Sequence, residues 1–363
     1  WNWVTLGKQN LISVGTHLKY YIERGGAYND ITPIRLTTAA GDVTFAALNG
    51  SPTLTVSDTA HGAVLGDFVT YSGAVSLGGN ITAAVLNIEY EIVSVVNDDS
   101  YTITAAVNAS AGDTGNGGAS TVGAYQLNTG SATGVPFTGW GAGTWGQGTW
   151  GNGGITTSPI RLWSQSNFGE DLFFVYRGGP LCYWAASTGV STRGNIINLT
   201  NYPASDGVPT IANIASVSDI FRFAFCFGTN VIDSAVQDPM LIRWSDQENV
   251  FNWNPLTGNL TAGSLRVSHG TEIIAVVQAR QEVLVWTDSA VYSMQYLGGD
   301  IVWNAQLMGN NLSISSQNAV AFTGSAAYWM GKDKFYKYDG TVMTLPCNVK
   351  RYVFNDINTE QFN

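Results

Sequence analysis

Residues equipped for chemistry are few in this chain. The three histidines, His17, His61 and His269, have no partner at a metal-ligating spacing such as HxH or HExxH. Ser268-His269 beside Glu272 supplies the residue types of a nucleophilic triad. It lacks the GxSxG elbow and the strand–nucleophile–helix setting such a serine needs, so His269 reads as a hairpin-tip residue. Asn97-Asp98-Asp99 begins like a calcium loop, but no bidentate Glu follows at the required spacing, and a hairpin turn is expected. Asp246, Asp288 and Asp333 each follow an apolar run and read as turn aspartates that bond backbone amides. Cys182, Cys226 and Cys347 are odd in number and lack CxxC pairing, as expected of small apolar side chains made in a reducing cytoplasm. No catalytic residue, metal ligand or cofactor motif is assigned, and the chain is not expected to be an enzyme.

The densest aromatic pattern is a glycine–tryptophan tract, Gly139 to Gly151, in which Trp140, Trp145 and Trp150 recur every five residues. Five matches neither the helix nor the strand period. An ordered loop is expected, its tryptophans plugged into neighbouring surfaces, with sugar stacking as the competing chemistry. The surrounding composition explains why turns and strands dominate. Charged residues are only 12% of the 363, about half the usual share. In their place stand 42 Gly, 12 Trp, 16 Tyr and 15 Phe, types that suit tight turns and half-buried pleated surfaces. An all-β fold follows. No run of about 20 apolar residues is present, so no transmembrane helix is expected.

Charge is unevenly placed. Leu36 to Ile160 holds no Lys or Arg but eight acids: Asp42, Asp58, Asp67, Glu89, Glu91, Asp98, Asp99 and Asp113. No basic footprint for gripping nucleic acid exists, whereas a lining that repels phosphates lets a duplex slide. Residues 1–35 read as two or three N-terminal strands of a larger body, and 36–128 as an inserted acidic β-sandwich or barrel. Residues 129–160 read as the Gly/Trp-rich loop, and 161–363 as a β-propeller-like body of repeated hairpins. Within the insert, Leu54-Thr55-Val56, Asp67 to Tyr71, Tyr90 to Val96 and Tyr101 to Thr104 are expected strands. In the body, hairpins are expected at Leu172–Trp184, Leu241–Trp253, Val283–Met294 and Ala326–Tyr338. Trp244, Trp286 and Trp329 stand 42 and 43 residues apart, a spacing typical of propeller blades. The chain opens Trp1-Asn2-Trp3 and stops at Phe362-Asn363 without a cap, so both ends read as cut from a longer product.

Several of these segments resemble tail proteins of short-tailed bacteriophages. They include Glu23-Arg24-Gly25-Gly26, Asp30 to Arg35, the Gly-Trp tract and Phe168-Gly169-Glu170-Asp171-Leu172. Arg243-Trp244-Ser245-Asp246-Gln247-Glu248-Asn249, Tyr328-Trp329-Met330-Gly331 and Phe335 to Gly340 belong to the same set. The resemblance is to the tail nozzle, or tail tubular protein B, group. It implies a six-fold ring of identical chains in the virion tail, below the portal and adaptor, with fibres or spikes attached around it. Genomic DNA would pass through the lumen without specific binding. A receptor-binding tail protein or spike that recognises host carbohydrate is the alternative. In this picture Trp140, Trp145, Trp150, Trp244, Trp286 and Trp329 serve structure and assembly. Replacing Trp145 and Trp150 with Ala is expected to leave a folded monomer that no longer forms rings, as read by native mass spectrometry; intact rings would remove the locking role.

Overall fold

The computed structural model describes residues 2–6, 9–132, 160–256 and 261–357. Among them are 28 strands and two short α-helices, so the chain is all-β. The body consists of five four-stranded antiparallel meanders, each with its strands in chain order. The first comprises β1 (Asn2–Leu6), β2 (Gln9–Gly15), β3 (Tyr20–Arg24) and β4 (Ala27–Asp30). An added region follows, built from β5 (Ile34–Thr37), β6 (Thr44–Ala47), β7 (Thr53–Ser57), β8 (Phe68–Ser72), α1 (Ala83–Leu86), β9 (Glu89–Glu91), β10 (Ser94–Asn97), β11 (Ser100–Thr104) and β12 (Val122–Gln126). The second meander is β13 (Trp163–Phe168), β14 (Asp171–Tyr176), β15 (Cys182–Trp184) and β16 (Asn195–Ile196). The third is β17 (Ile214–Ser218), β18 (Phe223–Asn230), β19 (Gln237–Trp244) and β20 (Gly263–Arg266). The fourth is β21 (Ile273–Gln278), β22 (Glu282–Thr287), β23 (Ala290–Tyr296) and β24 (Trp303–Asn310). The fifth is β25 (Val320–Phe322), β26 (Ala327–Met330), β27 (Phe335–Tyr338) and β28 (Val342–Leu345), with α2 (Lys350–Asp356) after it.

First strands neighbour one another in chain order: β1 with β13, β13 with β17, β17 with β21, and β21 with β25. Successive sheets therefore face each other, and the second strands of the middle three meanders are buried on both sides. Side chains alternate across a strand, so β14 sends Leu172 and Phe174 toward the first meander and Phe173 and Val175 toward the third. In β18, Ala224 and Cys226 face back, while Phe223, Phe225 and Phe227 face the fourth meander. In β22, Val283 and Val285 face the third meander, and Leu284 and Trp286 the fifth. This two-sided burial is why these strands read as unbroken apolar runs rather than as alternating ones.

The added region is two sheets around one core. One has the order β10-β11-β7-β6; the other, β5-β12-β8-β9, joins the second meander through a single parallel pairing, Asn195 with Ile34. Val43, Leu54, Val69, Ile81, Ile92 and Ile103 fill the space between them. A polar chain crosses this core: the Tyr71 and Tyr101 hydroxyls lie 2.7 Å apart, as do those of Tyr101 and Tyr125, and Tyr125 donates to Asp58. Burial pushes the Tyr101 phenol up to about 12 and raises the Asp58 carboxyl, which the Tyr125 hydrogen bond partly offsets. The four groups satisfy one another, which a buried polar group requires.

Five expectations are corrected. Residues 2–30 form four strands where two or three were expected. The run Tyr90 to Val96 is two strands in two sheets, because Ile92 exchanges backbone bonds with Asp67 and Gly66 and the chain turns a corner there. Val250–Trp253 is not a hairpin arm. β19 pairs instead with β20, and Trp253 is fully buried against Phe173 in the core between the second and third meanders. The spacing of the three tryptophans is therefore partly coincidental: Trp286 and Trp329 lie on second strands, but Trp244 closes a third strand. His269 lies in the connection between β20 and β21, not at a hairpin tip.

Only four of the eight acids in the cation-free stretch, Asp42, Glu91, Asp98 and Asp99, are exposed. Of the rest, Asp58 accepts from the Tyr125 hydroxyl and Glu89 pairs with side chains, while Asp67 and Asp113 tie the backbone. Asp67 accepts from the amides of Val64 and Thr129, and Asp113 from those of Gly79, Asn80, Ile81 and Ser110. Desolvation pushes the Asp113 carboxyl upward, but the donors from Ser110, Ile81 and Asn80 outweigh it and hold it at about 2. A depressed carboxylate adds stability above its unfolded value of about 3.9, and that stability is lost as pH falls toward the folded one. Thermal melts from pH 5 to pH 2 should therefore show a loss in the wild type between about pH 4 and pH 2 that is much weaker in Asp113→Asn; equal slopes would exclude this linkage.

Candidate functional site

Two places bring chemically capable side chains together. The first is the junction between the body and the added region, where four charges from three parts of the chain meet. Lys19, between β2 and β3, reaches Asp30 at the end of β4 (3.0 Å) and also Glu89 at the start of β9. Arg193, between β15 and β16, reaches Asp30 at 2.9 Å and Glu89 at 3.0 Å. Two cations and two anions thus alternate around a closed square, with no net charge left over. Gln126 adds a hydrogen bond to Glu89, and the Lys19 ammonium lies 4.4 Å from the centre of the Phe68 ring. Residues 36–160 hold no cation, so Glu89 takes its counter-charges from Lys19 and Arg193 of the body.

Two arginines bracket the same root. Arg35 donates to the His61 carbonyl at 2.8 Å, and Arg161 to the Asn128 carbonyl at 2.5 Å. His61 is buried; its Nδ1 accepts from the Ala63 amide (3.0 Å), which leaves Nε2–H to donate to the Asn97 carbonyl (3.1 Å). Both ring nitrogens have partners, so it is a satisfied core histidine. His269 Nδ1 lies 3.2 Å from the Tyr292 hydroxyl and from Ser268 Oγ. Here the tyrosine, not a carboxylate, faces the imidazole. Asp246 accepts from the Gln247 and Thr261 amides, and Asp288 from that of Thr271, which is the turn chemistry expected of them. Among the described residues, no group of three His, Cys, Asp or Glu is placed to hold a metal ion.

The second place is a cleft of about 740 Å³. Strand order dictates its position. First-to-second and third-to-fourth turns of a meander fall at the same end of the sheet, and those of the third, fourth and fifth meanders converge here. Phe221 comes from the β17–β18 turn, Arg280 and Gln281 from β21–β22, and Gly324 and Ser325 from β25–β26. Phe221 and Tyr296 stack at 4.4 Å, and both lean on the buried Trp303. Glu282 at the start of β22 accepts from Ser293 and, at 3.3 Å, from Tyr338. Sequence reading missed this site because its residues lie in turns and strand ends of three separate meanders. The available signal was Arg280-Gln281-Glu282, a charged turn without glycine in a chain poor in charge.

The tryptophans fall in two groups. Trp244, Trp286 and Trp329 are buried between meanders: Trp244 Nε1 donates to the Thr261 carbonyl at 2.9 Å, and Trp286 and Trp329 meet edge-on at 5.5 Å. They hold sheets together within the chain. Trp140, Trp145 and Trp150 lie outside the described residues.

No family model and no curated protein matches the chain. Among solved structures it is similar to a phage phi92 endosialidase, at 13% identity and a TM-score of 0.25, over 88% of this chain and 52% of that one. It is also similar to PorZ, a bacterial surface component of the type-IX secretion system of Porphyromonas gingivalis. There the identity is 10% and the TM-score 0.31, over 95% of this chain. The chain spans about half the length of the first and 41% of the second. Likenesses at these scores carry no argument about function. No helix among the described residues is long and apolar enough to cross a membrane.

The charge square makes a measurable claim. Glu89→Gln removes one anion and leaves Lys19 and Arg193 to share Asp30 alone. These side chains are 11–30% exposed, so the cost should be about 1–3 kcal/mol, below that of a fully buried pair. Urea unfolding should show this loss, and limited proteolysis should show faster cutting near residues 127–132; unchanged values for both would show that the square does not hold the junction.

Proposed function

We propose that the chain is a structural component of a bacteriophage tail, of the nozzle group its motifs resemble. Copies would associate into a ring around the tail axis, six-fold in that group, beneath an adaptor and beside fibres or spikes. The observation that carries this reading is the edge strand β10. It lies at the end of its sheet, and all four of its residues are exposed. Val96 is 60% exposed and the adjoining Val93 50%. Residues 93–97 contain no Lys, Arg or Pro, the usual guards on a solitary edge; a bulge next to Val96 is the guard they have. An unpaired apolar edge on a firmly mounted module favours strand addition by another copy of the chain.

The exposed carboxylates Asp42, Glu91, Asp98 and Asp99 suit a neighbour of DNA that must not bind it. Electron microscopy of the purified chain and of the native tail tests the proposal. A hollow six-fold ring on the tail axis is the expected result. A three-fold or monomeric peripheral object would overturn it and favour the receptor-binding alternative.

A further inference from the structure

We propose that the cleft at the turn end of the third, fourth and fifth meanders binds a neutral oligosaccharide. The cleft's size falls within the roughly 300–1,000 Å³ of small-ligand sites. A sugar ring presents apolar C–H faces and a rim of hydroxyls, and the cleft offers a counterpart to each. Phe221 and Tyr296 line the cleft with aromatic rings whose orientation is set by stacking on each other and by contact with Trp303. Such rings are pre-organised and lose little freedom on binding.

The polar partners are equally fixed. Glu282 Oε2 is occupied by Ser293 and Tyr338, which orients the carboxylate and leaves Oε1 without a hydrogen bond among the described residues. Burial and the Glu282 charge push the Tyr338 phenol up to about 12, so it stays a neutral donor to that carboxylate. Arg280 is exposed at the rim and makes no ion pair among the described residues. A carboxylate and a guanidinium with free capacity, one an acceptor and the other a donor, match the mixed hydrogen bonding of vicinal hydroxyls.

Other ligand classes fit less well. A cationic group would meet Arg280, and an acidic sugar would meet both Glu282 and Asp339. Hydrolysis is not part of the proposal. The other carboxylate in the cleft, Asp339, is held by Lys337 at 2.6 Å, so no free pair flanks a scissile bond. Binding here requires neither a ring nor a lumen, so its outcome is independent of the particle's symmetry.

The test uses the purified full chain on an array of neutral, sialylated and uronic-acid oligosaccharides, followed by calorimetry with soluble tetrasaccharides and with trilysine. Arg280→Ala and Glu282→Gln are compared with Tyr352→Ala, an exposed change on α2, after circular dichroism confirms that all three are folded. The expected result is binding to at least one neutral tetrasaccharide, weakened tenfold or more by each cleft substitution and unchanged by Tyr352→Ala. No binding to any neutral glycan at millimolar concentration would overturn the proposal. So would binding that both cleft variants retain, or a preference for sialylated glycans or trilysine that the cleft variants abolish.

Discussion

A four-stranded meander with two apolar faces cannot cover either of them alone, and this constraint organises the chain. Phe173 and Phe174 are neighbours in sequence, yet they belong to different cores on opposite sides of one sheet. Phe225 and Cys226 divide in the same way, as do Val285 and Trp286. Each sheet is therefore stable only as part of a stack, and each interface is shared between two consecutive units. The stack changes character at the fifth meander. Trp329 is buried, while its neighbour Tyr328 is 37% exposed. The same strand that completes one interface offers a half-open face on its other side.

Against that apolar stack, the polar features are local and specific. The charge square works because residues 36–160 hold no cation, and Lys19 and Arg193 are the two that pair with the carboxylate of Glu89. Of its other buried carboxylates, Asp67 and Asp113 turn to backbone amides and Asp58 to the Tyr125 hydroxyl. A sequence that looks uniformly acidic is thus split between acids that hold the fold and acids that face solvent.

Strand content and several hairpins were legible in the sequence. Leu172–Tyr176 with Leu181–Trp184, and Val283–Trp286 with Ala290–Met294, are paired strands. Their apolar runs are bounded by turn residues, and local chain geometry is enough to pair them. Val250–Trp253 shows the same surface pattern and fails, because Trp253 finds a deeper contact with Phe173 than a strand partner could give. The even spacing of Trp244 and Trp286 misled for a related reason: different strands of two meanders happened to place an indole at a similar distance. The cleft was illegible because nothing local links Phe221, Glu282 and Tyr338; only the stacking order of three sheets brings them together.

The strands that carry the chain into and out of the added region, β5 and β12, are antiparallel neighbours, with Leu36 opposite Tyr125 and Thr37 opposite Ala124. To the body, everything between those pairs is one enlarged hairpin turn. The entropy of closing such a turn grows only slowly with its length. A lineage could therefore lengthen, shorten or exchange the module without rerouting the wall that carries it. What it would have to keep is the corner at Glu89, since that residue decides which way the replacement points.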